Sequence, residues 1–136
     1  MNLVSSLLLA SVMFFSPSND ECKKIKNSTP EDNWMSVVLA EAYTVKTLRG
    51  QILDTNNHPI SEAQIELIRL SEKGEGTVIC VCRTQESGRF RFKKAKEGRY
   101  EIRVSLKGYD RTLVRVTVSK DAGANGEIEI PLKPGS

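Results

Sequence analysis

The sequence predicts an all-β protein, a sandwich of two antiparallel sheets formed by seven short strands, preceded by a leader and a short helix. Apolar and polar residues alternate with a period of two from Val45 onward, as they do in strands that bury one face. Polar and glycine-containing turns interrupt the alternation about every ten residues, a spacing typical of sandwiches. Each strand must then bury its apolar face against a second sheet.

Residues 1–18 resemble a secretory signal peptide. Residues 3–15 carry no charge, and this run suits the apolar region of a signal but is shorter than the roughly 20 residues of a transmembrane helix. Ser16 and Ser18 are small enough for cleavage before Asn19. No Lys or Arg precedes the run, so an uncleaved anchor is the alternative. We expect an exported protein, whether periplasmic, envelope-associated or secreted, with no transmembrane helix in the mature chain.

Residues 19–44 are predicted to form a linker and a short amphipathic helix. Thr29 is a suitable N-cap, and Pro30 fits the first position of a helix. Apolar residues then recur at spacings of three and four, which indicates a helix over about 30–42. These residues are Trp34, Met35, Val38, Leu39 and Ala42. We expect this apolar stripe to pack on the sandwich itself rather than on a partner.

Residues 45–134 are predicted to form the sandwich domain. Its seven strands lie at about 48–52, 63–67, 77–84, 90–92, 100–106, 112–118 and 128–132. Gly88 and Gly98 occupy turns where a hairpin needs a positive φ angle. Phe90 and Tyr100 are expected in the core, with the tyrosine hydroxyl at its edge.

Three stretches of this domain resemble carboxypeptidase regulatory-like domains. They are Gly50-Gln-Ile-Leu-Asp54 with Pro59-Ile60 and Ala63-Gln-Ile-Glu-Leu67, then Thr84-Gln-Glu-Ser-Gly88-Arg-Phe90-Arg-Phe92, then Gly98-Arg-Tyr100-Glu-Ile-Arg-Val104 with Lys107-Gly108-Tyr109. The resemblance covers residues 46–133. It implies a transthyretin-like Greek-key sandwich, usually non-catalytic, that assists folding, docking or surface display beside larger proteins. Glu62 stands where the family usually has a glycine, a change expected to alter only a turn.

The cysteines predict a disulfide but no metal site. Val78, Cys80 and Cys82 are expected on one face of the third strand. The α-carbons of Cys80 and Cys82 would then lie about 6.6 Å apart, near the upper limit for a disulfide. Cys22 is the expected partner of one or the other, which leaves one thiol over. The three cysteines and His58 lack the C-x-x-C spacing of zinc sites, so no metal or cofactor is expected.

No catalytic site is predicted. The transthyretin-like fold also includes hydrolases of hydroxyisourate, which use several histidines and end in Tyr-Arg-Gly-Ser. This chain has one histidine, His58, in a predicted exposed turn, and it ends Leu132-Lys-Pro-Gly-Ser136. No spacing places a base beside Cys80 or Cys82, and glycine-rich phosphate loops are absent. We therefore expect a non-catalytic interaction or structural module whose partner is another protein.

Two other kinds of partner remain as alternatives. Residues 83–120 contain twelve Lys or Arg and four Asp or Glu, and neighbouring fourth and fifth strands would place two basic sets side by side. These are Arg89, Arg91, Lys93, Arg99, Arg103 and Lys107. Such a surface would bind an anionic polymer or acidic lipids, although a solvated face that deters aggregation is favoured. The net charge of +3 is too small to indicate nucleic acid.

The second alternative is a glycan. Sandwich modules bind carbohydrate through exposed aromatic side chains. The candidate contacts in this chain are Trp34, Tyr43 and Tyr109.

Overall fold

The computed structural model describes residues 22, 38–93, 95–123 and 127–135, and all regular structure in them is β. The nine strands are β1 (Val38–Leu39), β2 (Tyr43–Val45), β3 (Arg49–Leu53), β4 (Gln64–Leu70), β5 (Gly76–Arg83), β6 (Arg89–Arg91), β7 (Gly98–Ser105), β8 (Thr112–Val118) and β9 (Ile128–Pro131). The described part of the chain has no helix that could cross a membrane. The predicted leader lies outside the described residues.

Two sheets form the sandwich, which confirms the all-β prediction. The large sheet has the order β1-β8-β7-β4-β5, and β2 also pairs with β8. The small sheet has the order β6-β3-β9. The prediction of wholly antiparallel sheets was wrong, because β9 runs parallel to β3 and both β1 and β2 run parallel to β8.

The predicted helix at 30–42 does not extend over its last five residues. Val38 and Leu39 pair with the start of β8, and the Ala40 amide donates to the carbonyl of Leu113. The edge of β8 offers a line of backbone partners, so tertiary pairing overrides the helical periodicity. Residues 30–37 lie outside the described part of the chain. Strands β1 and β2 raise the count to nine, and the other seven correspond to the predicted ones.

The core lies between the inner faces of the two sheets. Ile52, Ile128 and Ile130 of the small sheet and Ile65, Leu67, Ile102 and Val114 of the large sheet belong to one buried cluster. Phe90 and Tyr100 are buried, as predicted, and the Phe90 ring lies 5.7 Å from the Phe92 ring between centroids. The Tyr100 hydroxyl donates to the carbonyl of Lys96 at 2.5 Å. The ring is therefore buried without leaving its hydroxyl unsatisfied.

Two glycines allow the small sheet to close over the core. A Cβ atom on Gly50, in the central strand β3, would meet the carbonyl of Ile128 and would come within 2.6 Å of the Phe90 ring. Gly88 adopts a φ of 69°, as the turn before β6 was predicted to require, and its carbonyl accepts from the Ile52 amide. Glycine is needed at Gly50 for space and at Gly88 for conformation.

A bulge in β5 changes which side chains share a face. Leu67 of β4 pairs with Cys80, but the next residue, Ile68, pairs with Val78. Ile79 is therefore the extra residue in β5. Cys80 therefore points to the inner face of the sheet, as its partner Leu67 does. Val78 points to the outer face, as its partner Ile68 does. The prediction that Val78 shares a face with the two cysteines of β5 was wrong because the bulge breaks the period of two.

Candidate functional site

A cavity of about 270 Å³ opens where the inner face of the large sheet meets the segment after β6. Leu67 and Arg69 of β4, Ile79 and Cys80 of β5 and Tyr100 of β7 form one side. Phe92, Lys93, Ala95 and Lys96 form the other, with Cys22 between them. The cavity arises because the chain crosses from one sheet to the other between β6 and β7. Sequence reasoning did not identify it, since it depends on this crossing.

The cavity combines apolar surface with cations. The Arg69 guanidinium lies 5.7 Å from the centre of the Tyr100 ring and donates to the carbonyl of Glu97 at 3.2 Å. This arrangement is a cation–π contact at the boundary of the core. Lys93 and Lys96 also line the cavity. Arg69 and Lys96 lay outside the predicted basic set, because neither alternates with the outward cations of a predicted strand.

The three cysteines meet beside the cavity, whose wall includes Cys22 and Cys80. Cys22 and Cys82 form a disulfide, with α-carbons 5.4 Å apart and a sequence separation of 60 residues. Of the two pairings that the sequence left open, the structure contains this one. The Cys80 Sγ lies 2.9 Å from the Cys22 Sγ. The Cys22 amide also donates to the carbonyl of Arg91 at 2.8 Å, so backbone and sulfur contacts together hold residue 22.

The three sulfur atoms lie within 4.8 Å of one another. Three thiolates at such a spacing are able to share one soft metal ion. The disulfide already occupies two of these sulfurs, so binding through all three would first require its reduction. His58 belongs to a different part of the fold, the turn that follows β3.

The six predicted basic residues do not form one surface. Arg89 and Arg91 lie on β6 in the small sheet, whereas Arg99 and Arg103 lie on β7 in the large sheet. The prediction that these strands are neighbours was wrong. Consecutive strands usually pair, but here the chain changes sheet between them. Lys93 and Lys107 lie outside the strands, in the loops after β6 and β7.

Acidic groups offset the cations on both outer faces. Arg89 forms an ion pair with Glu127 at 3.1 Å. On the large sheet, one oxygen of Glu101 accepts from Arg103 at 3.0 Å, and the other lies 3.8 Å from the Nε of Arg115. The buried carboxyl of Glu66 is in register with Arg103. These pairings reduce the positive field that an anionic polymer would meet.

Arg99 is held by backbone groups. Its guanidinium donates to the carbonyl of Ser71 at 2.9 Å and to that of Glu72 at 3.4 Å. Arg99 therefore ties the start of β7 to the turn between β4 and β5. Its contacts are those of a structural residue, whereas the sequence had assigned it to a ligand surface.

The predicted aromatic contacts do not converge among the described residues. Tyr43 lies on β2, and its hydroxyl donates to the carbonyl of Glu129 at 3.3 Å. Tyr109 follows β7 and forms an isolated bridge with Pro134. The two tyrosines line different clefts. Trp34 lies outside the described part of the chain.

His58 lies in a turn stabilised by Asp54. The Asp54 Oδ1 accepts the amides of His58 and Asn56 at 2.9 and 2.8 Å. The hydrogen bond from the His58 amide is the main cause that holds the pKa of Asp54 below its ordinary value. The His58 Nδ1 lies 3.5 Å from Asp54 Oδ2, and its side chain is largely exposed. The contacts of this pair organise the turn.

The outer edge of β5 is apolar. In the described residues β5 pairs only with β4. Its large apolar side chains Val78 and Ile79 are 44% and 46% exposed; we call these two residues the β5 edge patch. Sequence reasoning missed the patch because it treated β5 as a strand with one buried face. The uninterrupted run of apolar residues at 78–82 was the available signal.

Comparisons with known proteins agree with this architecture. The chain is similar to sea bream transthyretin, solved in complex with thyroxine, with 16% identity and a TM-score of 0.53 over 66% of this chain and 89% of that one. At this identity the likeness concerns the fold. No curated protein matches the sequence. The profile of the carboxypeptidase regulatory-like domain, a non-catalytic β-sandwich module, matches residues 47–133. The chain therefore belongs to the carboxypeptidase regulatory-like domain family.

Proposed function

We propose that this chain is an exported, non-catalytic accessory module that binds a protein partner through the β5 edge patch. The observation that carries the proposal is the partial exposure of Val78 and Ile79 on an edge strand. Membership of the family supports the more general part of the proposal, because the family is a regulatory, non-catalytic type of domain.

The edge of a sheet is suited to this task. An edge strand presents backbone donors and acceptors that another chain can pair with, and adjacent apolar side chains add burial. The bulge at Ile79 limits regular pairing to the short segments on either side of it. A partner would therefore gain more from covering the two apolar side chains than from a long ladder. Complete burial of such a side chain contributes about 1.5–3 kcal/mol.

Export is supported by the chemistry of the cysteines. A disulfide between Cys22 and Cys82 persists in oxidising compartments and is rare in the cytosol. The charge-free run at 3–15 has the length of a signal's apolar region. Both features favour a periplasmic, envelope-associated or secreted protein.

Glycan and anionic-polymer binding are the alternative functions. The tyrosines expected to contact a glycan line separate clefts. The cations expected to bind a polymer are divided between two sheets and offset by Glu101 and Glu127. A protein partner requires neither converging aromatic side chains nor a single basic surface. These observations therefore support a protein partner over both alternatives.

Site-specific cross-linking tests the proposal. Val78 is replaced by the photoreactive p-benzoylphenylalanine in the full chain, which is irradiated in the exported fraction of its source cells. Thr117, an exposed residue of β8 on the outer side of the same sheet, is the matched control position. We expect discrete adducts with a second protein at position 78 and none at position 117.

The variant carrying both Val78→Thr and Ile79→Thr sharpens this experiment. With the cross-linker at Thr77, an exposed residue of β5, we expect it to weaken adduct formation at least about fivefold, since about 1 kcal/mol of contact is lost. Its melting temperature should change by less than about 4 °C, because both positions are partly exposed. Equal adducts at positions 78 and 117 would contradict the proposal. An adduct between two copies of this chain would indicate self-association instead of a second protein. Salt-insensitive glycan binding would favour the carbohydrate alternative.

A further inference from the structure

The cysteine cluster places a thiol against a disulfide. Cys22 is bonded to Cys82, and the thiol sulfur of Cys80 lies 2.9 Å from the Cys22 sulfur. Disulfide exchange proceeds by attack of a thiolate on one sulfur of a disulfide. The attacking sulfur, the attacked sulfur and the leaving sulfur all lie within 4.8 Å of one another. The attacking group is therefore already in contact with its target.

We propose that Cys22, Cys80 and Cys82 form an internal thiol–disulfide exchange centre. The Cys80 thiol loses its proton to solvent, and the resulting thiolate attacks the Cys22 sulfur. The Cys22–Cys82 bond breaks as the Cys22–Cys80 bond forms, and Cys82 leaves as a thiolate that takes up a proton. One disulfide and one thiol are present before and after, so the step requires no oxidant or reductant.

The fold explains why both pairings are accessible. Cys80 and Cys82 are two residues apart on β5 and pair with Leu67 and Ile65, so both point inward. Cys22 stays anchored to the end of β6 by its amide hydrogen bond to Arg91. Its sulfur needs only a side-chain movement to exchange one partner for the other.

Exchange would change whether the remaining thiol is accessible to solvent through the cavity. Cys80 is half-buried and lines the open cavity, whereas Cys82 is buried. With Cys22 bonded to Cys82, the remaining thiol lies on the cavity wall. With Cys22 bonded to Cys80, the remaining thiol is enclosed in the core. The centre would thus expose or hide one reactive sulfur without a change in the redox state of the protein.

Mapping the thiol tests the proposal in the unmodified full chain. The oxidised protein is held at pH 8, quenched in acid, denatured and alkylated with N-ethylmaleimide, then digested without reductant and sequenced by mass spectrometry. We expect label on both Cys80 and Cys82, with the minor site above about one tenth of the total, if the two pairings differ by less than about 1.4 kcal/mol. Label confined to Cys80 after prolonged incubation would overturn the proposal.

Two matched variants provide an independent result. Cys82→Ser leaves Cys22 and Cys80, which we expect to form a disulfide with glutathione disulfide as oxidant, releasing two glutathione thiols. Cys80→Ser keeps the Cys22–Cys82 bond and should take up no label. A Cys82→Ser chain that retains two alkylatable thiols under conditions that fully oxidise Cys80→Ser would contradict the proposal. Should Cys82→Ser not fold, Cys82→Ala places no hydroxyl in the buried site and serves the same purpose.

Discussion

The two ends of the large sheet differ in how their edges are covered. At one end, β8 pairs with β7 on one side and with β1 and β2 on the other. At the opposite end, β5 has only β4 as a neighbour among the described residues. The β8 side chains Val114, Val116 and Val118 are buried, whereas Val78 and Ile79 of β5 are nearly half exposed.

Among the described residues, the chain itself covers the β8 edge and leaves the β5 edge without a neighbouring strand. The segment before β3 closes the β8 edge by parallel pairing and removes it as a site of association. The β5 edge has a bulge, which limits regular strand addition, and a disulfide that anchors residue 22 on its inner side. An edge that is limited but left apolar is suited to one selective partner. Variants at the two edges, and in the core that they share, test this interpretation.

The largest effect is expected in the shared core. Tyr100→Ala should lower the free energy of unfolding by about 3–5 kcal/mol, because it removes a buried ring from between the sheets. Tyr100→Phe is the control and should cost about 1 kcal/mol, the net contribution of a hydrogen bond such as that to Lys96. Urea unfolding followed by circular dichroism measures both. A loss below about 1 kcal/mol for the alanine variant would show that the ring does not belong to the core.

The next effect concerns the covalent anchor beside β5. Cys22→Ser should lower the free energy of unfolding by about 2–4 kcal/mol, since a disulfide that spans 60 residues of sequence restricts the unfolded chain. Cys80→Ser, which keeps that bond, should cost less. Thermal unfolding without reductant compares the two. Equal melting temperatures for Cys22→Ser and the unmodified chain would show that the anchor does not stabilise the sandwich.

The direct comparison of the edges uses one substitution at two positions. Val116→Thr places a hydroxyl in the buried surface of β8 and should cost about 1–3 kcal/mol. Val78→Thr, at the partly exposed edge of β5, should change stability by less than about 0.5 kcal/mol. Both conserve volume and β-branching, so only burial differs. Similar losses at the two positions, measured by denaturant unfolding, would mean that the β5 edge is covered in solution.

The smallest effect is a gain at the turn into β4. Glu62 has a φ of 64°, in the left-handed region that favours glycine. Glu62→Gly should raise stability by about 0.5–1 kcal/mol, because relief of this strain exceeds the added entropy of the unfolded chain. Glu62→Ala retains the Cβ atom and should show no such gain. A loss of melting temperature with glycine would indicate that the Glu62 side chain makes stabilising contacts.

Much of the fold could be predicted because its signals are local. The alternation that marks β3 to β9, the positive φ of Gly88 and the burial of Phe90 and Tyr100 follow from short stretches of sequence. Glu62 illustrates the same point, since its departure from the family pattern falls on a left-handed residue. Each of these features depends on the backbone geometry of a few consecutive residues.

The candidate site was less accessible to prediction. The cavity contains residues from β4, β5, β7 and the loop after β6, and no sequence spacing relates them. The basic residues were placed on adjacent strands, but β6 and β7 lie in different sheets. The bulge at Ile79 also has no recognisable sequence signal, because it lies within a continuous run of apolar residues.

Local sequence patterns alone indicated the approximate positions of β3 to β9, the burial of Phe90 and Tyr100 and the family that the chain resembles, because period and turn chemistry are properties of neighbouring residues. The tertiary structure was needed to show that β6 and β7 lie in different sheets, that β1 and β2 pair with the edge of β8, and that Cys22 bonds to Cys82 with Cys80 in contact. Strand pairing joins residues far apart in sequence, and many pairings satisfy the same alternation. The choice among them is made by the packing of the whole core.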